Sequence, residues 1–370
     1  MSAAKNTATE LPRPRGTGMA AVVGQDVVLR ALRRAIERER LPHALLFTGP
    51  PGVGKATTAL LLAQALNCPV AGPVDSCGEC VSCSKIARGI HPDLLWIGPT
   101  PRAIKIGQIT PRSQSSIPAA ETATVFVGYT PYEGQKKVIV IRNASAMSPE
   151  AQNALLKTLE EPPPSSILIL TTSTPGSLLP TVVSRCQTLR FSPVGQETVQ
   201  EYLEQQLQLP AQEARLRAAL MPGSIGGAMA LDLDAYTTLL ETVVEALRSS
   251  QNGGGGVVVA AESLASSGHG ETATQRAAGV LRIGRDVLRD LLVVTTGAAG
   301  TTLVNPDQRE AWAAWGREVS SEGVVEALQA INIGIERLTT GIQPNIKMAL
   351  ERTLLEVGSA LAGSGQQAAS

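Results

Sequence analysis

Two groups of residues in the first quarter of this sequence have types and spacing suited to chemistry. The first is GPPGVGK, Gly49 to Lys55, which fits the phosphate-loop pattern G-x-x-x-x-G-K. Gly49, Gly52 and Gly54 let backbone N–H groups curl around phosphate oxygens, and the helix N-terminus that follows adds its dipole. Lys55 would reach the terminal phosphates. An apolar strand precedes the loop and a helical pattern follows it, which favours a phosphate-binding loop over a plain glycine-rich turn.

The hydroxyl that normally follows the loop lysine is missing. Ala56 stands where a Ser or Thr would bind Mg²⁺. Thr57 and Thr58 come next, but a shift of one residue on a helix turns the side chain by about 100°. We count Thr57 among the candidate nucleotide-binding residues, yet the loop suits phosphate better than a metal. Whether ATP or ADP binds here stays open.

A second nucleotide element should be an apolar strand that ends in acidic residues. The best match is VIVI at 138–141, which is followed by Arg142 and Asn143. An Asp at this place would hold Mg²⁺, and a Glu would polarise the attacking water. The missing hydroxyl at position 56 and the missing acids at 142 and 143 both indicate a nucleotide-hydrolase fold that has lost its own hydrolytic groups.

The second chemical group is a set of four cysteines, Cys68, Cys77, Cys80 and Cys83. Clustered cysteines in a cytosolic protein indicate metal more often than disulfides. Four thiolates make a closed tetrahedral zinc site with no open position, so we expect a structural Zn²⁺. Four unrelated reduced thiols are the alternative. His91 is another candidate ligand, but four cysteines suffice and we interpret it as a loop histidine.

The elements that must position these residues follow from the hydrophobic pattern. Four short apolar runs, ALLF, DLLWI, VIVI and ILIL, alternate with helical stretches up to about residue 191. This pattern predicts an α/β fold with a parallel sheet buried on both faces, into which the cysteine module is inserted. The rest of the chain reads as helices, interrupted by a glycine-rich break at 250–256.

Composition excludes several classes of protein. The 32 basic residues balance the 32 acidic ones, so a broadly basic nucleic-acid binder is excluded, although a local basic patch is not. Aromatic residues make up only 3%, which argues against base stacking as the main activity. No apolar run approaches the roughly 20 residues of a membrane span, and the N-terminus has no signal-peptide core. We therefore expect a cytoplasmic protein without a membrane partner.

Several segments together resemble one family. They are GQD (24–26), LPHALLFTGPPGVGK (41–55), the four-cysteine insertion and AQNALLKTLEEPPPSSILILTTSTPGSLLPTVVSRCQTLRF (151–191). These segments are similar to the bacterial DNA polymerase III clamp-loader subunits of the AAA+ class. The resemblance covers about 22–195 strongly and continues weakly to a last helix at 342–357.

The resemblance implies a domain organisation. It places an AAA+ P-loop domain at 19–194, with the zinc module at 68–83, a helical lid at 195–245 and a helical collar for oligomerisation at 246–362. The termini, 1–18 and 363–370, are expected to be disordered tails.

Within the family, the departures distinguish two branches. A gamma/tau motor subunit, which hydrolyses ATP, would keep a hydroxyl at position 56 and acids at 142 and 143. It would also carry a lid arginine where this sequence has Gly226. The resemblance is therefore to the delta prime branch, which in many bacteria does not hydrolyse ATP. A gamma/tau-type motor subunit is the alternative.

The resemblance also implies a role for Arg185, in the sequence Ser184-Arg185-Cys186. In related clamp loaders this arginine is a finger that faces ATP held by the neighbouring subunit, where it stabilises phosphoryl charge. A structural arginine paired with a nearby carboxylate is the alternative for this residue. The partners implied are gamma/tau and delta subunits in a hetero-pentamer, the sliding clamp, and primer-template DNA through the assembly. A zinc-dependent DNA-binding protein fits less well, because DNA affinity needs cationic contacts.

Overall fold

The computed structural model describes residues 11, 16–71, 74–100, 102–113, 115–251, 256–266, 273–298, 301–340 and 345–363. The predicted tails at 1–18 and 363–370 and the glycine-rich stretch at 253–256 lie largely outside these described residues. The chain divides into two compact units, Met1–Ala230 and Leu231–Ser370.

The first unit is built on a parallel sheet of five strands. They are β1 (Ala44–Thr48), β2 (Leu94–Ile97), β3 (Lys137–Ile141), β4 (Ser166–Thr172) and β5 (Gln187–Arg190). Their order across the sheet is β2-β3-β4-β1-β5. The four predicted apolar runs form β1 to β4, and all residues of these strands are buried. The predicted fold class is confirmed.

Helices cover both faces of this sheet, because successive side chains of each strand point to opposite faces. Within β1, Leu45 and Phe47 join one core, whereas Ala44 and Leu46 join the other. The helices of the α/β part are α1 (Asp26–Glu37), α2 (Lys55–Asn67), α3 (Val81–Ala87), α4 (Ile106–Ile109), α5 (Ala123–Phe126), α6 (Pro149–Glu160) and α7 (Pro180–Val183). The alternation places α1 and α2 on one face and α4 to α7 on the other.

Three helices complete the first unit: α8 (Gln196–Leu207), α9 (Ala211–Leu220) and α10 (Ile225–Ala230). They share a small core of their own, which includes Val199, Leu203 and Ala214. The division after Ala230 falls before the end of the predicted lid at 245. The reason is that the next helix buries its apolar face in the second unit.

The second unit is helical throughout its described part. Its helices are α11 (Leu233–Gln251), α12 (Gly256–Ser266), α13 (Ala273–Thr296), α14 (Arg309–Trp315), α15 (Ser321–Thr340) and α16 (Ile346–Gly363). The apolar stripe of α16 is buried, as its spacing predicts, at Leu350, Leu354 and Val357. Among the described residues, no helix combines the length and apolar character that a membrane span requires.

Candidate functional site

The phosphate loop lies between the carboxyl end of β1 and the first turn of α2. Its three glycines have positive φ angles, 142° at Gly49, 74° at Gly52 and 102° at Gly54. A Cβ at Gly49 would collide with the carbonyl oxygen of Phe191, and one at Gly52 with the hydroxyl of Ser224. The glycines are therefore required both by the backbone conformation and by close approach of neighbouring chain.

Lys55 folds back onto the loop that precedes it. Its Nζ donates to the carbonyl oxygens of Gly49 and Pro50, each at 2.6 Å. The residue is 9% exposed, and no carboxylate pairs with its ammonium group in the described part of the chain. Burial lowers the pKa of Lys55 to about 8. Lys55 is thus a buried cation whose charge no acidic side chain balances.

The backbone of the loop has free donors and satisfied acceptors. The carbonyl oxygen of Pro51 accepts from Ser224 Oγ at 3.0 Å, and that of Gly52 accepts from the Gly226 N–H at 2.9 Å. By contrast, the N–H groups of residues 53–57 find no acceptor among the described residues. Free N–H groups at the start of a helix form a site for anions.

A cavity of about 390 Å³ opens beside these donors. Its described lining contains basic, polar and apolar side chains but no Asp or Glu. It is lined by Ala21, Val22, Val23, Pro51, Gly52, Val53, Gly54, Lys55, Ala56, Thr57, Arg142, Asn143, Thr171, Thr172, Ser173, Tyr202, Ile225, Gly226 and Met229. The predicted residues Gly52, Gly54, Lys55 and Thr57 therefore meet at one site, whereas Gly49 packs beneath the loop and does not line it.

The end of β3 supplies the two residues that replace the expected acids. Arg142 and Ala56 line the same cavity, and the Nε of Arg142 is buried without a hydrogen-bond partner among the described residues. Asn143 adopts the left-handed conformation, with φ at 53°. Its N–H donates to Thr171 Oγ1 at 3.3 Å, and its Oδ1 accepts from Ser145 Oγ. A guanidinium thus occupies the place where a carboxylate would face a metal.

Several lining residues escaped the sequence reasoning. Thr171 and Thr172 end β4, and their place at the carboxyl edge of a parallel strand was a usable signal, because ligands of open α/β sheets bind there. Tyr202 and Met229 come from α8 and α10, which only the tertiary structure brings to the loop. Gln25, from the GQD motif, has a structural role: its Nε2 donates to the carbonyl oxygens of Ser192 and Val53.

The four predicted cysteines lie together. The sulfur atoms of Cys68, Cys77, Cys80 and Cys83 are all within 4.8 Å of one another. Cys68 Sγ lies 3.6 Å from Cys77 Sγ and 4.0 Å from Cys80 Sγ. A tetrahedral zinc site with Zn–S bonds of about 2.3 Å separates its sulfurs by about 3.8 Å. Both the donor set and its spacing fit Zn²⁺.

Local backbone contacts prepare these sulfurs for a cation. Although burial favours the neutral thiol, the N–H groups of Cys77, Ala71 and Val70 lower the pKa of Cys68 to about 6. Burial and the neighbouring sulfurs raise the pKa of Cys83, because like charges so close cannot all form without a balancing cation. The cluster therefore suits a metal ion better than four free thiolates.

His91 is not part of the cysteine cluster. Its Nδ1 accepts from the Asp93 N–H at 3.1 Å, so Nε2 carries the proton and faces Ser82 Oγ at 3.0 Å. Burial lowers the pKa of this buried imidazole. These contacts agree with its interpretation as a structural loop histidine.

Arg185 lies outside the cavity, in the turn between α7 and β5. Its side chain is 35% exposed, and its Nη2 lies 2.6 Å from Oε1 of Glu160, the last residue of α6. Nη1 also donates to the carbonyl oxygen of Thr181 at 3.0 Å. Within the isolated chain the arginine is therefore paired with a carboxylate, which was the structural alternative for this residue.

Comparison with known proteins gives a consistent family. The model of the family "DNA polymerase III, delta subunit" matches residues 24–195. DNA polymerase III subunit delta' of Bacillus subtilis (strain 168) is 37% identical over 182 residues, which cover 49% of this chain and 52% of the relative. DNA polymerase III subunit tau of Escherichia coli (strain K12) is 36% identical over 183 residues, covering 50% of this chain and 27% of the relative.

The chain thus matches about half the length of the delta' relative and about a quarter of tau. A solved structure of a gamma subunit-related protein from Thermotoga maritima aligns with 88% of this chain and 97% of its own, at 15% identity and a TM-score of 0.39. The resemblance drawn from the sequence motifs is confirmed by the sequence comparisons, and residues 24–195 of this chain are similar to the delta' and tau subunits of bacterial DNA polymerase III.

Proposed function

We propose that this chain is a delta prime-type clamp-loader subunit that does not hydrolyse ATP. The observation that carries the proposal is the cavity lining, which has Ala56 and Arg142 where a hydrolase needs a hydroxyl and a carboxylate. Asn143 is a poor base for activating water. With these groups replaced, the described lining offers no carboxylate to hold Mg²⁺ or to activate a water nucleophile.

Arg185 would then act on the nucleotide of a neighbouring motor subunit. It lies at the surface, and its exposed ion pair with Glu160 is worth only about 0–1 kcal/mol. The guanidinium can therefore exchange Glu160 for phosphate oxygens at little cost. Phosphate carries more charge and accepts the planar fork of arginine in two places, so it competes well with a single carboxylate. A finger supplied in this way contributes roughly 10³–10⁵ in rate.

The remaining parts of the proposal follow the family. The gamma/tau and delta subunits, the sliding clamp and primer-template DNA would be the partners, and the cytoplasm the location. The cysteines would hold Zn²⁺ as a structural ion that ties the segment after α2 to α3. Loading the clamp would depend on ATP turnover in the motor subunits, and this chain would support that turnover by supplying Arg185 to a neighbouring subunit.

Steady-state ATP hydrolysis tests the proposal. Motor subunits assembled with delta and this chain are compared with assemblies that carry Arg185→Ala or Arg185→Lys. We expect a drop of at least about 100-fold at the composite site for Arg185→Ala, and little rescue by lysine, which lacks the planar fork. Arg88→Ala, at an exposed arginine of α3's end, is the matched control and should leave turnover unchanged.

The alternative is an ATP-hydrolysing gamma/tau-type motor subunit, which the 36% identity to tau favours. The purified chain alone separates the two functions. ATP turnover by this chain without partners would overturn the proposal, and so would an intact Arg185→Ala assembly with wild-type turnover.

A further inference from the structure

The cavity beside the phosphate loop is lined by positively charged side chains, whereas a metal-dependent nucleotide site also carries carboxylates. Lys55 and Arg142 both line it, and no acidic residue appears among its described lining. The buried Nε of Arg142 has no partner there, and neither do the N–H groups of residues 53–57. A buried donor such as the Arg142 Nε–H is costly unless a partner accepts from it. These groups are all donors, and an anion is the kind of ligand that accepts from them.

We propose that this cavity binds a nucleoside triphosphate directly, without Mg²⁺, and that the Arg142 guanidinium takes the place of the metal as counter-cation. The proposal goes beyond the function proposed above, which does not require this cavity to be occupied. It assigns to Arg142 a ligand-binding role rather than the mere loss of a catalytic acid.

The positions of the two cations support this assignment. Lys55 and the free N–H groups lie on the loop side of the cavity, whereas Arg142 enters from the end of β3. A polyphosphate between them would therefore meet positive charge from two elements. It would also draw Lys55 away from the carbonyl oxygens of Gly49 and Pro50.

Magnesium has little to bind at this site. Mg²⁺ requires oxygen ligands in near-octahedral geometry, usually with one or two carboxylates, and Ala56 and Arg142 supply none. The two protein cations would also repel it. Bound to the phosphates in solution, Mg²⁺ neutralises part of the charge that the protein recognises. We therefore expect Mg²⁺ to weaken binding, the opposite of its effect on a metal-dependent phosphate loop.

The apolar part of the cavity lining favours a nucleoside over free polyphosphate. This part of the lining includes Val22, Ile225 and Met229. Its volume of about 390 Å³ falls in the usual range of ligand pockets, roughly 300–1,000 Å³. A base would bury these apolar surfaces, whereas inorganic triphosphate would leave them in water.

Isothermal titration calorimetry of the full-length chain tests the proposal. ATP is titrated in buffer depleted of divalent ions by resin and again in buffer with millimolar Mg²⁺. A soluble chelator is avoided because it would also strip the cysteine cluster. We expect saturable binding without Mg²⁺ and a several-fold loss of affinity when Mg²⁺ is added. Inorganic tripolyphosphate, the second titrant, should bind at least about tenfold more weakly than ATP.

Variants at position 142 test whether Arg142 is the counter-cation of the bound phosphates. Arg142→Ala should weaken ATP binding in the Mg²⁺-free buffer by about ten- to a hundredfold, the worth of charge-assisted hydrogen bonds. Arg142→Lys keeps the charge and should retain most of the affinity, while Arg142→Asp should make binding depend on Mg²⁺. Arg40→Ala, at an exposed arginine outside the cavity, is the matched control and should behave as wild type.

Several results would overturn the proposal. They are no ATP binding by the wild-type chain in either buffer, binding only with Mg²⁺, and equal affinity for tripolyphosphate and ATP. Unchanged affinity in a folded Arg142→Ala variant, checked by its melting curve, would exclude Arg142 as the counter-cation. If Arg142→Ala fails to fold, the Mg²⁺ response of wild type and Arg142→Lys still decides. None of these results depends on the Arg185 assay, so the two proposals fail separately.

Discussion

The buried ammonium of Lys55 should reduce the stability of the chain when no anion is bound. Burial lowers its pKa from the ordinary value of 10.5 to about 8. A difference of this size corresponds to about 3 kcal/mol at neutral pH, at roughly 1.4 kcal/mol for each pKa unit. The two bonds to the carbonyl oxygens of Gly49 and Pro50 offset part of this cost. We therefore expect Lys55→Met, which is similar in length and uncharged, to stabilise the chain by about 1–2 kcal/mol at pH 7.

The pH dependence gives this prediction its sign. Because the pKa of Lys55 is lower in the folded chain, the unfolded chain binds more protons between about pH 8 and 10.5. The free energy of unfolding of the wild-type chain therefore increases as the pH rises through that window. Below the window the ammonium is charged in the folded chain, and its full destabilising effect is present. The advantage of Lys55→Met should be largest at pH 7 and should shrink by pH 10.

Scanning calorimetry of the full-length chain measures both effects. At roughly 2–4 °C for each kcal/mol, the transition of the first unit should move up by about 2–8 °C at pH 7. Lys157→Met, at an exposed lysine of α6, is the control and should change the transition little. Two results would refute the reasoning about an unbalanced buried cation. One is a melting temperature for Lys55→Met below that of wild type at pH 7. The other is a difference in melting temperature between the two proteins that stays constant up to pH 10.

Two further predictions concern groups that hold the first unit together. We expect the wild-type chain to carry one equivalent of zinc, measured by atomic emission. Cys77→Ser should lower this amount to well below one equivalent and should expose α3 to protease, because three thiolates leave the tetrahedral site incomplete. Full zinc occupancy in this variant would contradict the four-sulfur assignment. Asp93→Asn should lower the free energy of unfolding, measured with urea, by about 3–5 kcal/mol. In the wild-type chain the buried ammonium of Lys137 lies 3.1 Å from the Asp93 carboxylate, and the variant leaves it without a counter-charge. A loss below about 1 kcal/mol would show that this ion pair is not desolvated.

Three positions at which the sequence departs from the motor-subunit pattern lie around one cavity. Ala56 and Arg142 line this cavity, and so does Gly226, the second residue of α10. The Gly226 N–H donates to Gly52, and an added Cβ would approach the Gly52 backbone at 3.2 Å. A larger residue there would press on the phosphate loop. The loss of a lid arginine is therefore compatible with direct docking of α10 on the loop.

Local sequence patterns were sufficient for the strands, the loop and the metal cluster. Apolar runs buried on both faces have few alternatives to a parallel strand, so β1 to β4 could be predicted within a few residues. The glycine spacing before Lys55 determines a backbone that few other sequences can adopt. Cysteines two residues apart present two thiolates from one turn, so Cys77 and Cys80 identified the metal cluster without knowledge of the fold.

Only the tertiary structure decided which distant groups meet. Gly49 packs under the loop because β5 ends beside it, and Arg185 is paired because α6 ends beside its turn. The boundary after Ala230 depends on which core receives α11. The charge of the cavity depends on side chains that separate strands, helices and loops contribute. By itself the sequence determined that acids are missing at positions 142 and 143. Folding decided that Arg142, after the end of β3, lines the same cavity as Ala56, because only the folded sheet brings these elements within range of one ligand.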